Sequence, residues 1–198
     1  MHSNSESYSD LKDLKEDIFQ DKSTAVIPLP PRNDDEAEVT GEFDFPPGKL
    51  NFEGQDFIFP DGCNAKVIAK WLEENLLSVR IYINTKIIAE CARCLKPVDL
   101  NISDKLEYLY YAEGTEILED DSDDEIFPVE IDFFGRTLDV MQQIQESIFT
   151  LLPFKVLCKE DCKGLCPNCG ADLNETTCSC KNDFHDPRME ALKDLKLD

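Results

Sequence analysis

The hydrophobic positions of this chain change period several times, and each change marks an expected element. Through residue 36 there is no sustained period. The segment is polar and charged, with Pro28, Pro30 and Pro31 close together, a composition that favours extended, unpacked backbone. A disordered acidic tail over residues 1–36 is expected, with one transient helix from Ser9 to Phe19. From Ala37 the period is two: Val39, Gly41 and Phe43 alternate with Glu38, Thr40, Glu42 and Asp44, the signature of a half-buried strand. Phe57 and Phe59 form a short second run. Cys63, Ala65, Val67, Ala69 and Trp71 then share one face, with Asn64, Lys66 and Lys70 on the other. Ile68 and Leu72 interrupt that polar face, so Ala65 to Leu72 also fits a helix. A turn at Glu73-Glu74-Asn75 leads into Leu77, Val79, Ile81 and Ile83, which predicts an antiparallel hairpin. A further pass is expected over Lys86 to Cys91. Alternation resumes through Val98, Leu100 and Ile102, then Leu106, Tyr108 and Tyr110.

Residues 112–125 are mostly acidic and aperiodic, as in a solvated loop. Leu138, Met141, Ile144, Ile148, Leu151 and Leu152 then recur at three- and four-residue spacings up to Pro153, one stripe of an amphipathic helix. The fold class expected is α+β: an antiparallel sheet covered by that helix over residues 37–153, followed by a cysteine-rich zinc ribbon or knuckle over 154–198. At the far end, Asp186 as N-cap and Pro187 at the first helical position predict a short terminal helix.

Charge changes the picture of partners. The 198 residues carry a net charge of -22, in two acidic blocks: -10 over residues 1–63 and -11 over 110–150, against +1 over 64–109 and -2 over 151–198. Such a chain is repelled by polyphosphate at long range, which argues against a simple electrostatic nucleic-acid clamp. No run approaches the roughly 18–20 apolar residues that span a bilayer, so no membrane crossing is expected. The first residues lack the basic start and apolar block of a secretory signal and are too acidic for a transit peptide. A cytoplasmic location is expected, and in a reducing compartment clustered thiols are metal ligands or catalytic groups more often than disulfides.

The candidate chemistry lies in the cysteines. The C-terminal segment reads Cys158-Lys-Glu-Asp-Cys162-Lys-Gly-Leu-Cys166-Pro-Asn-Cys169-Gly170, then Cys178-Ser-Cys180. A C-x2-C followed by glycine forms a knuckle in which both sulfurs face one point. A turn at Leu173-Asn174-Glu175 would bring Cys178 and Cys180 back to complete a tetrahedron with Cys166 and Cys169. Four soft thiolates suit Zn2+ and leave no open position for a catalytic water. Cys91-Ala-Arg-Cys94 is a second C-x2-C, and Cys158 with Cys162 can join it in a second site. Partitions into one site and into two both remain open, and Cys63 is explained by its apolar strand face. His185, just outside a helix start, is expected to be solvated. No phosphate-cradling loop, nucleophile elbow or acid–base set is recognisable, so no enzyme and no small-molecule substrate are expected.

The combination of a strand running into Cys91-Ala-Arg-Cys94-Leu95, the acidic loop, the helix to Leu152-Pro153, the run from Cys158 to Asn174 and Asp186-Pro-Arg188 closely resembles the YceD family of large ribosomal RNA subunit accumulation proteins. The resemblance runs from about residue 37 to the end. It implies a part in the accumulation or processing of 23S ribosomal RNA, and so in large-subunit biogenesis, without known catalysis. Its implied partners are ribosomal RNA, touched locally through Arg93, Lys96, Lys155, Lys159 and Lys163, or basic ribosomal proteins, for which an acidic chain is the easier match. Two other classes fit the same cysteines: a zinc-ribbon adaptor that binds proteins, for example in transcription, and a thiol-based redox or metal-responsive protein.

Overall fold

A computed structural model describes residues 17–19, 24–32, 34, 36–112, 126–131 and 135–180. Among them are nine strands and one helix: β1 (Val26–Pro28), β2 (Glu38–Phe45), β3 (Gly48–Phe52), β4 (Gln55–Phe59), β5 (Cys63–Glu73), β6 (Leu76–Glu90), β7 (Pro97–Tyr111), β8 (Ile126–Glu130), β9 (Thr137–Asp139) and α1 (Met141–Leu151). The architecture is a mostly antiparallel sheet with one helix.

Its frame is the hairpin of the two 15-residue strands β6 and β7, paired from Leu76↔Tyr111 to Glu90↔Pro97. One edge of β6 is shared end to end: β5 pairs with its first part, from Glu73↔Leu76 to Cys63↔Thr85, and β4 with its last part, at Ile58↔Ile88 and Phe57↔Ala89. β2 extends β5, and β3 extends β4. β8 lies along β7 in parallel, the exception to the antiparallel pattern.

The period-two readings of β2, β4 and the β5–β6 hairpin agree with these strands. In β5 the ambiguity between strand and helix resolves to strand, because Cys63, Ala65, Val67, Ala69 and Trp71 all bury on one face of the sheet. One expectation is corrected. Lys86 to Cys91 is no separate pass but the continuation of β6, since the alternating positions run unbroken through Thr85, Ile87 and Ala89. The alternation read through Val98, Leu100 and Ile102, then Leu106, Tyr108 and Tyr110 falls in the single strand β7.

Described residues of the segment read as a tail pack onto the fold. Ile18, Ala25 and Ile27 are fully buried, β1 pairs with β9, and Trp71 donates from Nε1 to Pro30 O at 2.9 Å. The Arg32 guanidinium lies 4.1 Å above the Trp71 ring, a favourable cation–π arrangement.

Leu138 falls in β9 rather than in the helix. Asp139 stops the strand and starts α1: its Oδ1 accepts from Met141 N at 3.0 Å and from Ala25 N at 2.9 Å. α1 buries Met141, Gln143, Ile144, Ser147 and Ile148. Tyr108 of β7 donates to Gln143 O at 3.2 Å and lies 3.1 Å from Ser147 Oγ, which fixes the helix against the hairpin. No helix among the described residues is long and apolar enough to cross a membrane. The acidic loop beyond Ala112, His185, the terminal helix and most of the helix expected over Ser9 to Phe19 lie outside the described residues.

Candidate metal centre

β6 ends at Glu90, and the chain turns at once through Cys91-Ala92-Arg93-Cys94-Leu95 before β7 begins. The turn is closed by two backbone bonds, Leu95 N–H to Cys91 O at 2.9 Å and Cys91 N–H to Lys96 O at 2.8 Å. Residues 166–171 repeat that pattern: Gly170 N–H donates to Cys166 O at 2.8 Å, and Cys166 N–H donates to Ala171 O at 2.8 Å. In both turns the residue after the second cysteine is left-handed, Leu95 at φ 60° and Gly170 at φ 72°. The two C-x2-C elements are therefore the same knuckle.

Each knuckle meets a second cysteine pair. In the first quartet, Cys91 Sγ lies 3.8 Å from Cys162 Sγ and Cys94 Sγ 3.6 Å from Cys158 Sγ. Cys91, Cys94, Cys158 and Cys162 form one group and Cys166, Cys169, Cys178 and Cys180 another, with the sulfurs in each within 4.8 Å of one another. Ala92 N–H donates to Val156 O at 2.9 Å, which docks the returning chain beside the first knuckle. Cys63 is remote in role: buried on β5, its thiol is pushed up to about 12, first by burial.

Charge is unevenly shared within the quartets. Burial pushes the Cys91 thiol up, but the backbone N–H groups of Arg93, Cys158 and Cys94 outweigh it and hold the group down at about 6. Cys166 is held at about 6 by the N–H groups of Cys169 and Asn168. Cys158 is pushed up to about 12 by Cys162, and Cys180 to about 12 by Cys169. Four sulfurs this close ionise together only against a cation. Tetrathiolate sets of this kind can hold a metal ion and are of the type that zinc takes.

The basic residues around the knuckles divide. Arg93 is exposed but engaged, donating from Nη1 to Cys162 O at 2.8 Å and to Glu160 O at 3.1 Å. Lys96 is ion-paired with Asp172 at 2.7 Å and with Glu175; Lys96 holds the Asp172 carboxyl down at about 2. Both are thus part of the scaffold. Lys155, Lys159 and Lys163 are exposed, and Lys155 follows Phe154, whose relative exposure is 87%. Sequence reasoning used Asn174 and Glu175 only as part of a turn and gave Asp172 no role, because a polar loop residue gives no signal of its partner until the chain across the fold is in place.

A family model described as "Large ribosomal RNA subunit accumulation protein YceD" matches residues 79–196, more than half of the chain and inclusive of both quartets. An uncharacterized protein of Mycobacterium tuberculosis is 33% identical over 108 residues, covering 54% of this chain and 50% of that protein. "Large ribosomal RNA subunit accumulation protein YCED homolog 1, chloroplastic" is 29% identical over 70 residues in Arabidopsis thaliana, covering 35% of this chain and 21% of that protein. The Zea mays protein of the same name is 36% identical over 63 residues, covering 31% and 20%. The chain thus spans half the length of the mycobacterial relative and about a fifth of the plant ones. No solved structure matches it.

Proposed function

The chain belongs to the YceD family, and from that membership we propose that it is a non-enzymatic factor for the accumulation or processing of 23S ribosomal RNA in large-subunit biogenesis. The observation that carries the reading is the family match over residues 79–196, which takes in the β6–β7 hairpin and both cysteine quartets. The names of the plant relatives point the same way. In this reading each quartet holds Zn2+ and the pair of knuckles forms a rigid, cofactor-stapled end to the sheet. The net charge of -22 suits basic large-subunit ribosomal proteins as partners better than bare RNA. Exposed Lys155, Lys159 and Lys163 supply the local surface for any phosphate contact, whereas Arg93 and Lys96 are engaged within the protein.

The test is a deletion strain. We expect a fall in 23S relative to 16S ribosomal RNA and a deficit of large subunits on a sucrose gradient, restored by the wild-type chain and not by Cys166→Ser. An unchanged ratio with a normal subunit profile would reject the ribosomal role and leave a protein-binding zinc adaptor as the better reading.

A further inference from the structure

The two quartets are joined by contacts that belong to neither ligand set. Asn174 lies on the return of the second knuckle, between Cys169 and Cys178, yet its Nδ2 is 3.4 Å from Cys162 Sγ, a member of the first quartet. Its Oδ1 accepts from Lys163 N–H at 2.9 Å, and its own N–H and Nδ2 both reach Asp172 Oδ1 at 2.8 Å. The amide is therefore fixed on both sides and has one hydrogen aimed at the sulfur. On the other flank Lys96, two residues beyond Cys94, holds Asp172 and Glu175 of the same loop. Backbone bonds complete the junction: Leu165 N–H to Arg93 O at 3.2 Å and Leu173 N–H to Gly164 O at 2.9 Å. Residues 172–175 thus lie on the stretch that returns from Cys169 to Cys178 of the second quartet, while the side chains of Asp172, Asn174 and Glu175 are engaged on Lys96 and Cys162 beside the first.

We infer that the two quartets are one cooperative metal-binding unit, in which Asn174 and Lys96 are positioning residues that couple metal at one site to affinity at the other. This rests on the reading that each quartet holds a metal ion. A metal at Cys166, Cys169, Cys178 and Cys180 closes the loop that carries Asn174 and Asp172. That places the Asn174 amide on the Cys162 sulfur, where an N–H donor orients the ligand and spreads its negative charge, and it lets Lys96 clamp the turn of Cys94. The loop is ordered once for two binding events, so the second ion binds to a chain whose ordering cost is already met. By linkage the effect is equal in both directions.

The test is a Zn2+ titration of the full chain against a competing chromophoric chelator, with the first quartet disabled by Cys91→Ser and the second by Cys169→Ser. We expect two ions per wild-type chain. In each single-site variant the remaining ion should bind about 5- to 150-fold more weakly than in the intact chain, by the same factor for both variants. Asn174→Asp keeps the acceptor for Lys163 N–H but faces Cys162 with a carboxylate. It should weaken the first quartet about 10- to 100-fold while the far-ultraviolet sheet signal is unchanged. Lys96→Met, which touches no sulfur, should reduce the mutual factor. Two ions whose affinities are indifferent to loss of the other site and to Asn174→Asp would overturn the coupling and leave the metal reading intact. Fewer than two ions in the wild-type chain would overturn both.

Discussion

Leu95 and Gly170 hold equivalent places in two equivalent knuckles, and both are left-handed, at φ 60° and 72°. A side chain there costs on the order of 1 kcal/mol. A Cβ added at Gly170 would meet nothing within 4 Å, whereas at Gly164 (φ 75°) the same atom would lie 2.9 Å from Arg93 O and 3.3 Å from Arg93 Cβ. Two alanine substitutions separate the backbone penalty from the steric one. Gly170→Ala should lower stability by about 1 kcal/mol. Gly164→Ala should cost more, because it also pushes residues 164–165 away from the carbonyl that Leu165 N–H bonds. Thermal unfolding of the metal-loaded variants checks the order, and equal losses would show that Gly164 is not pressed against Arg93.

At the scale of elements, the join between α1 and the β6–β7 hairpin depends on one phenol more than on its neighbour. Tyr108 and Tyr110 lie on the same face of β7, opposite Val79 and Leu77, and both rings are buried. Tyr108 Oη bonds Gln143 O and Ser147 Oγ. Tyr110 Oη is buried with no hydrogen-bond partner among the described residues. Burial raises both phenols above their ordinary range, so both are neutral at physiological pH. Tyr108→Phe should therefore cost about 1 kcal/mol, the usual net worth of such a bond, whereas Tyr110→Phe should be neutral or slightly stabilising. Urea midpoints with unchanged slopes decide it, and a larger loss at Tyr110 would mean that its hydroxyl is satisfied after all.

For the whole molecule, the decisive feature is that the cysteine end has an apolar cluster distinct from the main core, with the half-buried Val98 packed against both. The main core joins the sheet, α1 and the buried part of the N-terminal segment, from Ile18 to Val156. Cys91, Cys94 and Cys162 sit in a cluster of their own with Val98, Leu157 and Leu165. If the quartets hold zinc, their binding energy is the folding energy of residues 154–180, which have little other core. Metal removal by a strong chelator should then open that segment to protease while the sheet keeps its circular dichroism signal. Collapse of the whole fold on chelation would show that the two clusters unfold as one unit.

What the sequence by itself determined was local: the period-two strands β2, β4 and β6, the 3.6-residue stripe that became α1, and the two C-x2-C turns, while β5 fitted strand and helix alike until the sheet was in place. These follow from short-range sterics and from which side chains leave water, both of which are written in neighbouring residues. The length of β6 escaped it, since a polar interruption such as Lys86 looks like a strand boundary until its cross-strand partner Asn101 is in place. So did β1, whose three residues acquire a face only against β9 and Gly41. The cysteine partition was decided by tertiary structure alone. Cys94 and Cys158 stand 64 positions apart, and only the docking of Ala92 against Val156 brings their sulfurs within 3.6 Å. The same holds for Asn174, Asp172 and Lys96: their types are ordinary loop residues, and their role depends on which knuckle the folded chain sets beside them.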